Sequence, residues 1–177
     1  MTSPLPEPAA MGIEAIRVAI ASGHTTSRMR AITALQPYNT ETCVPLLLEC
    51  LNDQAFLVRS LACMGLGYKP NEQGRLALLR VLQFEGDPNV RAEAANALAR
   101  HGPELALKPL LELYEKDSHW LVRSSILAAL ADEKGVPAEV LLELAEKAMA
   151  DADPTLQESG KQLRLKLQRE RFERLLG

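Results

Sequence analysis

A chain of 177 residues with 47 % apolar side chains has room for one compact unit with a continuous core. Aromatics make up only 4 %, and the apolar set is mostly Leu and Ala, a mixture rich in helix formers and poor in strand formers. The net charge of −3 argues against a nucleic-acid binder, which needs a basic stripe, and no stretch reaches the ~18 apolar residues of a membrane span.

The N-terminus, MTSPLPEPAA, is proline-rich and lacks the basic segment and apolar run of a secretory signal. Residues 1–7 are expected to form a flexible arm. A first helix is predicted over 8–21, with Met11, Ile13, Ala15, Ile16, Ala19 and Ile20 at helical spacing and Gly23 after it. Helices then follow in pairs: 25–36 and 40–51, 54–67 and 71–84, 88–101 and 104–116, 118–132 and 138–150. Each pair is broken by a turn residue and a proline near the next helix start, where proline is tolerated. Asp153-Pro154 opens a final helix to about residue 176, with Leu163, Leu167, Leu175 and Leu176 as its apolar members.

Arginines give the pairs a common register. Arg28, Arg59, Arg91 and Arg123 are 31, 32 and 32 residues apart, and Gln157 stands at the fifth place. Seven residues after each arginine comes Leu35, Leu66, Leu98 or Leu130. Three after comes Ala31, Ala62, Ala94 or Ile126, with Gly160 in the fifth copy. Six before stand Ser22, Asp53, Glu85, Asp117 and Asp151, four of them acidic. Several columns in register indicate internal repeats, here about 22–52, 53–84, 85–116 and 117–150. The N-terminal helix 8–21 and the terminal helix 153–176 would cap them, making 8–177 a single domain. An arginine one turn into a helix can pair with the acidic residue of the next copy. Arg28, Arg59, Arg91 and Arg123 with Asp53, Glu85, Asp117 and Asp151 therefore form a candidate structural ladder of charge-assisted hydrogen bonds.

The second helices carry leucines on one face and leave Glu49, Arg80, Glu112 and Glu146 outward, as candidate partner-binding positions. The same holds for Trp120, the one tryptophan, beside His119, because Trp is enriched where proteins bind each other. His24 and His119 both stand four before an arginine, two or more repeats apart. They read as polar residues at helix starts, so no metal site is expected. Cys43, Cys50 and Cys63 match neither a zinc nor a disulfide spacing and read as small buried hydrophobes in a reducing, cytoplasmic setting. No phosphate loop, nucleophile elbow or Cys/His dyad is visible, so no catalytic residue is assigned. Charge is segregated: residues 101–160 hold twelve acidic and five basic groups, residues 161–177 two acidic and six basic. The basic patch Arg164, Lys166, Arg169, Arg171 and Arg174 reads as a solubilising cap, with docking on an acidic partner as the other reading.

A unit of about 32 residues with D-x(3–5)-V-R-x-x-A followed by a Leu-rich helix, as at Asp53…Val58-Arg59-Ser-Leu-Ala62, resembles HEAT-like repeats. The short version looks like the phycobilisome lyase type, which includes the E and F subunits of phycocyanin bilin lyases and a phycobilisome-degradation factor. The resemblance spans about residues 22–160. It implies an all-α, right-handed α-solenoid. It also implies a non-catalytic protein-interaction scaffold acting along the second-helix face, with a phycobiliprotein or another photosynthetic-complex subunit as partner. No cofactor is expected under that reading. The alternative it implies is a bilin lyase subunit or chromophore chaperone that holds a linear tetrapyrrole bilin transiently. Related repeats in a metal-dependent hydroxylase use His-Glu pairs, and this chain has no His-Glu dipeptide. Related repeats in a DNA glycosylase make a DNA-repair function a third option, against which the acidic second helices speak.

Overall fold

The computed structural model describes residues 11–176. The arm expected over 1–7, and residues 8–10 of the expected first helix, lie outside the described residues. Among those described are ten helices and no strand: α1 (Ile13–Ile20), α2 (Thr25–Ala34), α3 (Thr40–Cys50), α4 (Phe56–Tyr68), α5 (Glu72–Phe84), α6 (Pro88–Ala99), α7 (Pro103–Lys116), α8 (Trp120–Asp132), α9 (Ala138–Met149) and α10 (Pro154–Leu176).

Local chemistry sets these boundaries. The Asp87 side chain accepts from the Asn89 N–H at 2.8 Å, and Pro88 occupies the first helical position, where its missing N–H has no partner to lose. Asn39 and Asn71 cap α3 and α5 through the N–H groups of Thr42 and Gly74 at 2.9 and 2.7 Å. Asp153 accepts from Thr155 and Leu156 at the start of α10. Asp87 is not the equivalent of Asp53 and Asp117: Ala55 and His119 cap α4 and α8, and Glu85 fills the register position of those two aspartates. Gly102, with φ of 98°, turns the chain from α6 into α7 in a conformation that disfavours any side chain.

The leucine column Leu35, Leu66, Leu98 and Leu130 is buried, as are Ala31, Ala62, Ala94, Ile126 and Gly160 three places after the arginine register. Together with the leucines of the second helices they form one continuous core. Each full Leu burial stabilises by about 1.5–3 kcal/mol, which no isolated hairpin could collect on both faces. The arginine-bearing helices α2, α4, α6, α8 and α10 form one layer and α3, α5, α7 and α9 the other. α4 packs closely on α6, and α6 on α8, whereas α3 and α5 touch lightly. Small residues permit the close approach: a Cβ on Gly67 would lie 2.8 Å from Ala97 Cα. A stack whose helices lie closer in one layer than in the other curves toward the closer layer, here the arginine-bearing one.

α10 uses only part of its apolar set for the core. Leu156, Gly160 and Leu163 are buried and Leu167 packs beside them. Leu175 and Leu176 do not join them and are 76 % and 73 % exposed, because the helix runs on past α8 and α9.

Candidate functional site

The side chains that carry the repeat register meet at the helix starts of the arginine-bearing layer. Arg28 donates from Nε and Nη2 to both Asp53 carboxylate oxygens at 2.6 and 2.9 Å. Arg59 does the same to Glu85 at 2.8 and 3.0 Å, and Arg91 to Asp117 at 2.7 and 3.2 Å. Arg123 pairs with Asp151. Arg28, Arg59 and Arg91 also donate from Nη1 to the backbone carbonyl six residues back, Ser22, Asp53 and Glu85 respectively. Gln157 keeps that backbone contact alone, from Nε2 to the Asp151 carbonyl at 2.7 Å. Each acidic residue accepts once more, from the backbone N–H two residues on: Ala55, Asp87, His119 and Asp153. A single carboxylate thus orders its own loop and receives the preceding repeat's guanidinium.

Burial pushes the Asp53, Glu85 and Asp117 carboxyls up. The arginine hydrogen bonds and the backbone N–H bonds outweigh it and hold all three below the ordinary carboxylate range. A depressed folded-state pKa gives stability that is present above the unfolded-state value and lost as pH falls through the folded one. Urea unfolding is therefore expected to show a progressive fall in free energy below about pH 5, after a smaller loss at higher pH from the His101 imidazole, which burial holds below its ordinary value. A profile that stays level into strong acid would contradict the pairing.

The solvent side of this layer differs from helix to helix. On α4, Leu57, Leu61, Met64 and Tyr68 recur at helical spacing along one line; Leu57 and Tyr68 are 46 % and 63 % exposed. The row borders a cavity of about 440 Å³ between α2 and α4, floored by Ile32, Leu35, Cys43 and Leu47. Lys69 at its rim donates to the Gln36 and Tyr38 carbonyls at 2.9 and 2.6 Å. On α6 the matching positions are polar: Asn89, Glu93, Asn96 and Arg100. The Arg100 guanidinium lies 4.6 Å above the Tyr68 ring centre. Burial pushes the Glu93 carboxyl up, although Arg100 stands 3.7 Å away.

Residues 44–131 match the family of HEAT repeats. That stretch is built of HEAT-like repeats. Solved structures agree on the fold. The complex of CpcE and CpcF of phycocyanin lyase from Nostoc sp. PCC7120 contains a chain that aligns with TM-score 0.67 at 18 % identity, over 94 % of this chain and 70 % of that one. The Escherichia coli protein YibA aligns with TM-score 0.66 at 16 % identity, over 86 % and 57 %. An engineered protein aligns with TM-score 0.55 at 19 % identity, over 89 % and 79 %. No curated protein sequence matches the chain.

Within the HEAT-like repeats the other sequence-predicted positions are dispersed. Glu49, Arg80, Glu112 and Glu146 are exposed on the second-helix layer. Arg80 lines a groove between α3 and α5 with Phe84, and Glu112 lines one between α7 and α9. Trp120 is 41 % exposed at the start of α8, its ring 6.1 Å from that of His119, whose Nδ1 accepts from the Leu121 N–H. Phe56, 40 % exposed, holds the same repeat position as Trp120, three before the arginine. The register contained that signal. His24 caps α2 through its backbone, and His101 reaches the Leu66 carbonyl at 3.2 Å through Nε2. Among the described residues no group of three His, Cys, Asp or Glu is placed to hold a metal ion, and no helix is long and apolar enough to cross a membrane. Cys43, Cys50 and Cys63 are free and buried, and burial pushes the Cys50 and Cys63 thiols up to about 11 and about 12.

Proposed function

We propose that this protein is a non-catalytic adaptor that recognises another protein through the inner face of its stack. The observation that carries this reading is the exposed apolar row on α4 running into the α2/α4 cavity. Exposed apolar surface edged by polar groups is where partners dock, and fixed aromatic anchors dominate such contacts. Tyr68, held under Arg100, is that anchor. The second-helix positions Glu49, Arg80, Glu112 and Glu146 are charges spread over separate helices and supply less apolar surface. The likeness to a complex of CpcE and CpcF supports a phycobiliprotein or another photosynthetic-complex subunit as partner. Three buried free thiols support a reducing, cytoplasmic setting.

The test is affinity capture from the native lysate with wild type, Leu57→Asp and Tyr68→Asp in parallel, followed by titration of the captured protein in purified form. Both positions are exposed, so the helical circular dichroism should be unchanged. Binding is expected to weaken about tenfold or more in each variant. Equal binding by all three would remove the inner face from the account. Turnover of a small molecule without any protein partner would remove the function itself.

A second reading, a bilin lyase subunit or chromophore chaperone, is favoured by that same likeness and by the mainly apolar cavity with Lys69 at its rim. Co-expression with bilin and a phycobiliprotein subunit yields a covalent fluorescent adduct only under that reading.

A further inference from the structure

The chain carries two exposed surfaces of opposite charge that do not meet within one molecule. The first is the outer side of α10. Leu165, Phe172 and Leu176 are 60 %, 62 % and 73 % exposed. Their spacing of seven and four residues sets them on one line along the helix, opposite the side that Leu156, Gly160 and Leu163 bury against the body. Lys161, paired with Glu158 at 4.0 Å, and Arg169 share that line, and Arg164 stands beside it. The second surface is the groove of about 290 Å³ between α7 and α9. Leu111, Val140 and Leu144 floor it, and Glu112, Glu115 and Glu143 rim it. Lys147 bridges Glu115 and Glu143 at 2.7 and 3.2 Å, leaving the rim acidic. Leu105, 47 % exposed, stands seven residues before Glu112 on the same line of α7.

We propose that the outer side of α10 docks into the α7/α9 groove of a second copy of this chain. The apolar line fits an apolar floor, and guanidinium groups meet a carboxylate rim. α10 is one unbroken helix whose inner side is occupied by its own α8 and α9, so its outer side cannot fold back into the groove of the same molecule. A second copy supplies that groove at equal concentration. The contact is separate from the α4 row and does not depend on the function proposed above.

Sedimentation velocity over a concentration series, at low and at high salt, tests it. The average mass is expected to rise with concentration and to fall when salt screens the charge pairs. Phe172→Glu and Glu143→Arg each change an exposed side chain and should leave circular dichroism unchanged while weakening self-association about tenfold or more. Arg169→Glu should also be monomeric alone, yet associate again when mixed with Glu143→Arg. A chain that stays monomeric at every concentration overturns the proposal, as does association that these variants leave intact. The same series with phosphatidylglycerol vesicles separates the remaining occupant: vesicle binding by a chain that is monomeric in solution would assign the helix to a lipid surface instead.

Discussion

Arg91→Ala should lower the unfolding free energy by about 2–3 kcal/mol, while Arg80→Ala should change it by no more than about 0.5 kcal/mol. The two residues share charge and length, so the difference lies in their surroundings. Arg91 is 17 % exposed and its partner Asp117 is 6 % exposed. Removing the guanidinium breaks two hydrogen bonds to the carboxylate and two to the Glu85 and Gly86 carbonyls. It also leaves a largely buried carboxylate without its countercharge, which costs more than the pair itself contributes. Arg80 sits on the exposed side of α5 with no ion pair among the described residues. Thermal unfolding of both variants should show the first melting about 5–10 °C below wild type and the second close to it. Equal melting temperatures would mean that the arginine period is decoration.

Gly67→Val should be as damaging for a different reason. A Cβ at Gly67 would stand 2.8 Å from Ala97 Cα and 3.2 Å from the Ala97 carbonyl oxygen. These are backbone atoms of α6, so no side chain can swing aside, and the two helices must separate along the seam. Overpacking of this kind costs about 3 kcal/mol or more. Because Gly67 lies beside Tyr68, the separation would also shift the α4 row against α6, and partner binding should fall with stability. Gly86→Ala serves as control: a Cβ there meets nothing within 4 Å, and the effect should stay within about 0.5 kcal/mol. Urea unfolding of the two variants measures both. A Gly67→Val chain as stable as wild type would show that α4 and α6 are not in close contact.

The helix pairs were legible because several boundaries rest on a side chain the sequence displays: Asp87 with Pro88, Asn39, Asn71, Asp153 with Pro154. The arginine register was legible because one residue type does the same work at each seam. Grooves and cavities were not. The α2/α4 cavity depends on how far apart two helices settle, and no residue pattern states that distance. Which leucines of α10 join the core was not legible for a related reason. Leu163, Leu167, Leu175 and Leu176 look alike in sequence, but only the first two still have a neighbouring helix beneath them. Phe56 illustrates the opposite failing. Its place three before Arg59 matches that of Trp120 before Arg123, so the register marked it, yet attention to the rarest residue type passed over its equivalent. The inner face followed from neither pattern: it depends on how closely neighbouring helices settle, as where Gly67 meets Ala97 between α4 and α6.

The claim beneath all of this is that consecutive repeats are coupled through the arginine–carboxylate pairs. A double-mutant cycle at Arg59 and Glu85, with Arg59→Ala, Glu85→Ala and the double variant unfolded in urea, measures that coupling directly. A pair interaction of about 1–3 kcal/mol is expected, so that the double variant loses clearly less than the two single losses combined. Single losses that simply add would show two side chains that stand side by side without holding the repeats together.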